Sequence, residues 1–167
     1  MGIALPPGAA VALIALLERI AVEPQNLTAI TGIEEGIDRH LADSLAALAL
    51  PEVAAARACV DVGSGAGFPG LALAIARPAM SVTLVESEGR KADWLRRASA
   101  EIPNVRVVSD RSEHLAADER ESFPLATMRA LGPLPVALEL TAPLVAVGGS
   151  VLAWRGDDSD PEREAAS

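Results

Sequence analysis

Residues 59–76 read CVDVGSGAGFPGLALAIA. An apolar run enters a glycine-rich turn, and a second apolar run leaves it. The first run has the length and bounds of a buried strand; the second, closed by Pro78, reads as a helix. Glycines at 63, 65, 67 and 70 let the backbone approach a ligand with no Cβ in the way. A strand feeding such a loop and then a helix begins a parallel βαβ unit. In sheets of that kind ligands bind outside the carboxyl ends of the strands.

The alternation continues downstream. Strands are predicted at 81–86, 105–109, 125–131 and 150–155, with helices at 89–102 and 134–146, the latter bent or ended near Pro143. The fold class expected is α/β. Upstream, Leu13, Leu17 and Ile20 recur at helical spacing, as do Leu41, Leu45 and Leu48. Residues 1–50 are therefore expected to form an N-terminal helical cap, 51–156 a parallel α/β core, and 157–167 a disordered acidic tail. All of this fits one compact domain of 167 residues.

The apolar stretch AAVALIALL (9–17) stops at Glu18 and Arg19. It is too short to cross a bilayer, and no basic residue precedes it as in a signal peptide. The one cysteine, Cys59, cannot form an internal disulfide, which fits a reducing cytoplasm. Its place in an apolar strand favours a small core residue over a nucleophile. A net charge of −9 argues against a general polyanion binder. Any nucleic-acid contact would need a local basic patch.

Two cofactor classes compete for the loop. A dinucleotide site requires G-x-G-x-x-G, but from Gly63 the third glycine position is Phe68. Asp61 stands two residues before the first glycine, where a carboxylate would repel a pyrophosphate. It suits a cationic ligand, and S-adenosylmethionine carries both a sulfonium and an amino group. Asp61, Gly63, Gly65 and Gly67 are the candidates for holding it. Glu86 ends the second strand, 23 residues after Gly63, where an acid can accept from both ribose hydroxyls.

Two further clusters stand out. In RHLADS, a helix places His40 beside Asp43 and Ser44, while Leu41, Leu45 and Leu48 point to the core. In GRKADWLRR, Arg90, Lys91, Arg96 and Arg97 fall within eight positions, and Arg90, Trp94 and Arg97 share a helical stripe. The cations suit a phosphate backbone. The competing reading is a solvated helix face with Trp94 packed inward.

NLTAIT, RHLADSL, DVGSGAGFPGLALAIARP, LVESEGRKADWLR and MRALGPL occur in this order, and the match runs from about Asn26 to Gly156. The sequence thereby resembles the ribosomal small-subunit methyltransferase G family, also called glucose-inhibited division protein B. The resemblance implies a class I, Rossmann-like methyltransferase sheet. It implies methyl transfer from S-adenosylmethionine to ring nitrogen 7 of one guanosine in 16S ribosomal RNA, in the cytoplasm, with no metal and no membrane. Gly63, Phe68, Glu86, Ser112, Glu113 and Arg129 match the family's cofactor contacts. His40 and Asp43 would shape the target pocket beside Arg129, with Asn26 and Thr28 in weaker support. Arg90, Lys91, Arg96 and Arg97 would meet RNA on a structured ribosomal particle.

Ring nitrogen 7 of guanine has a free lone pair and carries no proton. Its methylation needs orientation, which can supply about 7–11 kcal/mol of a barrier, and no general base. The family continues past the last predicted strand with a helix and an antiparallel hairpin. The 150–155 strand is thus expected to be an exposed apolar edge, in a monomer or in a dimer paired through it. AVEPQNLT replaces a longer, tryptophan-containing lead-in, and Pro124 replaces a usual aspartate. Alternatives left open are a weakly active or non-catalytic remnant of the family, a methyltransferase for a small molecule or protein, and an NAD-dependent oxidoreductase.

Overall fold

The computed structural model of the chain describes residues 4–25, 27–30 and 32–155. Asn26 and the acidic tail lie outside the described residues. Helix α1 (Ala9–Ala21) is followed by α2 (Ile33–Gly36), a π-helical segment (Ile37–Ala42), α3 (Asp43–Ala46), a 3-10 turn (Ala47–Ala49) and α4 (Pro51–Ala55). The core then alternates: β1 (Ala58–Val62), α5 (Gly70–Ala76), β2 (Ser81–Val85), α6 (Gly89–Ala98), β3 (Val105–Val108), α7 (Ser112–Asp118), β4 (Phe123–Arg129), α8 (Leu134–Thr141) and β5 (Val145–Trp154).

The five strands pair in the order β3-β2-β1-β4-β5, all parallel. The order reverses beside β1, so the crevice of a doubly wound sheet opens at its carboxyl end, where the glycine loop begins. Alternation along β1 sorts its side chains. Cys59 joins one core, with Leu13, Leu17, Leu71, Leu73, Trp94 and Leu95. Val60 and Val62 join the other, with Leu115, Phe123, Ala126 and Leu144. Helices α1 and α3 pack against α5, so the helical cap covers the same face as α5.

Several boundaries differ from expectation. Strand β4 starts two residues early and ends at Arg129, so Ala130 and Leu131 leave the sheet. Pro124 is its second residue, and the β4–β5 register shifts between Phe123 and Leu125. That irregularity removes the need for the missing N–H. Strand β5 begins five residues early, because the expected 134–146 helix stops at Thr141 and a 3-10 turn through Pro143 redirects the chain. Helix α6 ends at Ala98, with Ser99 at its cap. Helices α4 and α7 are additions to the expected pattern. Leu45 and Leu48 are half-buried, whereas Ser44, expected on a polar face, is fully buried. Among the described residues no strand pairs with the outer edge of β5, and no helix is long and apolar enough to cross a membrane.

Candidate active site

The glycine loop is a backbone cradle. Gly63, Gly65 and Gly67 have φ of 70°, 53° and 106°, in the left-handed region that L side chains rarely adopt. A Cβ at Gly67 would collide with Leu71, and one at Gly63 with Leu131. Gly70 has ordinary φ but no room: a Cβ there would lie 2.6 Å from Asp61 Oδ2. It lets α5 pack close on β1.

Glu86 holds the cradle in place. Its Oε2 accepts from the Gly65 N–H at 2.9 Å and its Oε1 from the Glu88 N–H at 2.8 Å. The Gly63 and Ser64 N–H groups both donate to the Val85 carbonyl, at 2.9 and 3.1 Å. The carboxylate expected to meet a ribose therefore also clamps the loop against the end of β2. Each carboxylate oxygen has a second lone pair, so the clamp leaves acceptor capacity, although Glu86 is 7% exposed and lines neither cavity described below.

Asp61 is corrected from its expected position. It is 1% exposed and lines neither of the two cavities described below. Strand alternation turns it beneath the loop, on the Cys59 side. Oδ1 accepts from Thr127 Oγ1 at 2.7 Å; Oδ2 has no hydrogen-bond partner. Burial pushes its pKa up to about 6, against the opposing pull of Thr127, Ser64, the Gly70 backbone and Arg129. Asp61 supports the loop from below and does not stand at its rim. Cys59 lies in the same core, and burial raises its thiol pKa far above the usual range. It is not a nucleophile.

The second half of the site is built by the π-helical segment and the ends of β4 and β5. His40 stacks on Phe68, with ring centroids 4.7 Å apart and planes within 7°. A π turn carries an extra residue and is common at functional sites. Here it joins the helical cap to the glycine loop. Thr28 Oγ1 is 3.1 Å from His40 Nε2, and Arg129 Nη1 is 3.5 Å from His40 Nδ1. Arginine can only donate, so Nδ1 carries the lone pair and Nε2–H donates to Thr28. Burial, then Arg129 and Arg39, lower the His40 pKa, which keeps the ring neutral.

Arg129 extends into this cluster from the end of β4. It donates to the Arg39 carbonyl at 3.1 Å and to the Asp43 carboxylate. Its guanidinium lies over the Trp154 ring, 5.7 Å from the centroid. Trp154 Nε1 in turn donates to the Asp43 carbonyl at 3.1 Å. His40, Asp43 and Arg129 thus come together, and with Asp38, Trp154 and Arg155 they line a pocket of about 540 Å³. Trp154 is a site residue that sequence reasoning overlooks. Its signal is present all the same: it ends a parallel strand in register with Arg129, where sites of this fold gather.

Ser112 and Glu113 lie at the start of α7, beside a cavity of about 80 Å³ that Gly63 and Leu131 also line. Ser112 is buried and its hydroxyl donates to Glu113, whose other oxygen pairs with Arg111. The four basic residues of α6 do not form a free patch. Arg90 and Lys91 pair with Glu88, Arg96 with Asp93, and Arg97 with Glu23. Trp94 packs inward and donates to the Ala66 carbonyl of the glycine loop at 3.1 Å. Among the described residues no cluster of three His, Cys, Asp or Glu side chains could hold a metal ion.

Comparison with known proteins places this geometry. The family described as rRNA small subunit methyltransferase G matches residues 9–167. Proteins named ribosomal RNA small subunit methyltransferase G are similar in sequence. The one from Chloroflexus aggregans is 44% identical over 145 residues, covering 84% of this chain and 60% of that protein. The one from Acidiphilium cryptum is 47% identical over 131 residues, covering 78% and 58%. The chain spans about three-fifths of the length of these relatives. Among solved structures, a precorrin-6y C5,15-methyltransferase from Geobacter metallireducens aligns with a TM-score of 0.60 at 13% identity, covering 87% of this chain and 72% of that one. A putative caffeoyl-CoA O-methyltransferase from Staphylococcus aureus aligns with a TM-score of 0.59 at 14% identity, covering 84% and 65%. These likenesses are of fold, and the fold is that of the class I methyltransferases.

Proposed function

The chain belongs to the rRNA small subunit methyltransferase G family, and from that premise we propose that it transfers a methyl group from S-adenosylmethionine to ring nitrogen 7 of a guanosine in 16S ribosomal RNA, acting on the small ribosomal subunit. One observation carries the reading: the His40–Phe68 stack joins the glycine cradle directly to the pocket around Arg129.

The residues present fit the cofactor. Gly63 and Gly65 are half-exposed at φ values that L side chains rarely adopt, and Glu86 retains lone pairs for the ribose diol. Ser112 and Glu113 would take the adenine side. When bound, S-adenosylmethionine supplies an electrophilic methyl on a sulfonium. The chain's own work is then positional. Arg129, fixed by Asp43, the Arg39 carbonyl and Trp154, presents its remaining Nε–H and Nη2–H donors, held rigid, to a guanine edge or a phosphate. His40 is held neutral and spends both nitrogens on protein partners, which agrees with a target nitrogen that has no proton to lose.

The α6 cations serve RNA by exchange. Exposed ion pairs are worth about 0–1 kcal/mol, so phosphates can replace Glu88 and Asp93 as partners at little cost, while the less exposed Glu23 holds Arg97 more firmly. The test is to incubate the protein with methyl-labelled cofactor and unmodified small ribosomal subunits, then map the labelled nucleoside. Label in 7-methylguanosine is expected. Label only in protein or small molecules would overturn the reading, and no transfer despite cofactor binding would favour a non-catalytic remnant.

A further inference from the structure

Three residues at the end of β4 reach both halves of the site. Arg129 and Ala130 line the 540 Å³ pocket. Leu131 lines the 80 Å³ cavity with Gly63, Ser112 and Glu113. Between Arg129 and Leu131 the backbone is strained, for Ala130 has φ of 51°; Gly132, just beyond, turns through a φ of 123° that glycine adopts freely. The left-handed conformation costs an L-residue roughly 1–2 kcal/mol, and such strain persists only where the surroundings impose it. Here the surroundings pull in two directions. Arg129 is fastened to Asp43 and the Arg39 carbonyl. Leu131 folds over Gly63, so that a Cβ there would collide with its Cδ1.

The cavity beneath Leu131, about 80 Å³, is far smaller than the ~300 Å³ at the low end of small-ligand pockets. Its other walls include β1 and β2 residues Val62 and Val85, which the sheet holds rigid. Arg111, Glu113 and Leu140 also line it, but Leu131 is the wall that lies over Gly63, as the flexible end of a side chain that follows a strained residue. We infer that Leu131 and Ala130 are positioning residues: a nucleoside entering beside Gly63 displaces Leu131, and the Ala130 turn passes that movement to Arg129. This rests on the proposal that the glycine loop takes an adenosyl cofactor.

The two tryptophans of the chain report the two ends separately. Trp94 donates to the Ala66 carbonyl within the glycine loop, and Trp154 lies under the Arg129 guanidinium. The experiment uses full-length protein carrying 5-fluorotryptophan, titrated with S-adenosylhomocysteine by fluorine NMR and calorimetry. In the wild type both resonances should shift. In Leu131→Ala, binding should be at least as tight and the Trp94 resonance should still shift, while the Trp154 shift is lost. Ala130→Gly relieves the strain, takes only a methyl from the wall of the 540 Å³ pocket and leaves the 80 Å³ cavity untouched; it should also diminish the Trp154 shift at unchanged cofactor affinity. A silent Trp154 in the wild type, or an equal shift in Leu131→Ala, overturns the coupling. So does affinity about tenfold weaker in Leu131→Ala, since Leu131 would then simply touch the ligand. No binding to the wild type would sink the cofactor proposal as well, and calorimetry tells that outcome apart.

Discussion

The imidazole of His40 lies flat against the ring of Phe68, 4.7 Å between centroids. This stack joins a helix of the cap to a loop of the sheet, two elements otherwise remote in sequence. An aromatic pair is worth about 0.5–1.5 kcal/mol beyond its burial, and the Thr28 hydrogen bond adds about 1 kcal/mol. His40→Ala should therefore destabilise the protein by roughly 1.5–2.5 kcal/mol in urea unfolding. His40→Phe keeps the stack and should recover about half of that loss, yet leave methyl transfer impaired. Equal activity in His40→Phe and wild type would remove His40 from the site.

Arg129 depends on its planar fork, which meets the Arg39 carbonyl, Asp43 and the Trp154 ring at once. Lysine cannot reproduce that geometry. Arg129→Lys should lower single-turnover methylation of small subunits by about 10²-fold or more, the scale of a misplaced reactant. The midpoint of thermal unfolding should stay near the wild-type value. A loss confined to stability would identify Arg129 as a structural strut.

Asp61 makes stability depend on pH. Its folded pKa of about 6 lies above the ordinary value of 3.8. Between those values the native state binds the extra proton, so stability falls as pH rises. The contribution is fully present below pH 3.8 and is lost as pH climbs through 6. The size is of order 3 kcal/mol for a displacement of about two pH units. Asp61→Asn should abolish this dependence, so its stability relative to wild type should improve from pH 5 to pH 8. Parallel urea midpoints for both proteins across that range would count against a protonated Asp61.

Glu86 accepts two backbone N–H groups. Glu86→Gln turns one acceptor into a donor facing a donor, and a buried unsatisfied group costs about 1–3 kcal/mol. Amide exchange at Gly65 or Glu88 should accelerate, and S-adenosylhomocysteine affinity should drop by about tenfold or more. Slow exchange at both amides in the variant would show that another group holds the loop.

Replacing Arg90, Lys91, Arg96 and Arg97 together by glutamine should weaken binding to small subunits and flatten its salt dependence, by about one unit of slope for each phosphate no longer neutralised. Cofactor affinity should not change, because none of the four lines either cavity. An unaltered slope would assign these residues to an ordinary solvated face.

The parts legible in the sequence are those set by local pattern. The strand, glycine loop and helix of the β1–loop–α5 unit stand where the sequence pattern predicts them, since apolar runs and glycines need no tertiary information. Helix α7 escapes that reading because SEHLAAD is mostly polar and only Leu115 and Ala116 are buried apolar residues. The orientation of Asp61 is readable in principle. Alternation puts it on the Cys59 face of β1, beneath the loop, but its closeness to the glycines suggests a residue at the rim. The positive φ of Ala130 is not readable at all, because opposing tethers on Arg129 and Leu131 impose it. Trp154 requires knowing that β5 lies beside β4 in register.

The π-helical segment Ile37–Ala42 has an evolutionary corollary. Each residue of an α-helix turns it by about 100°, and a π turn is in effect one residue of surplus. A single-residue deletion there could be absorbed by tightening the coil to ordinary pitch, leaving both flanking helices intact. Such a change would rotate His40 away from Phe68 while the scaffold survived. Lineages that have abandoned the reaction should therefore show their first indels at this bend.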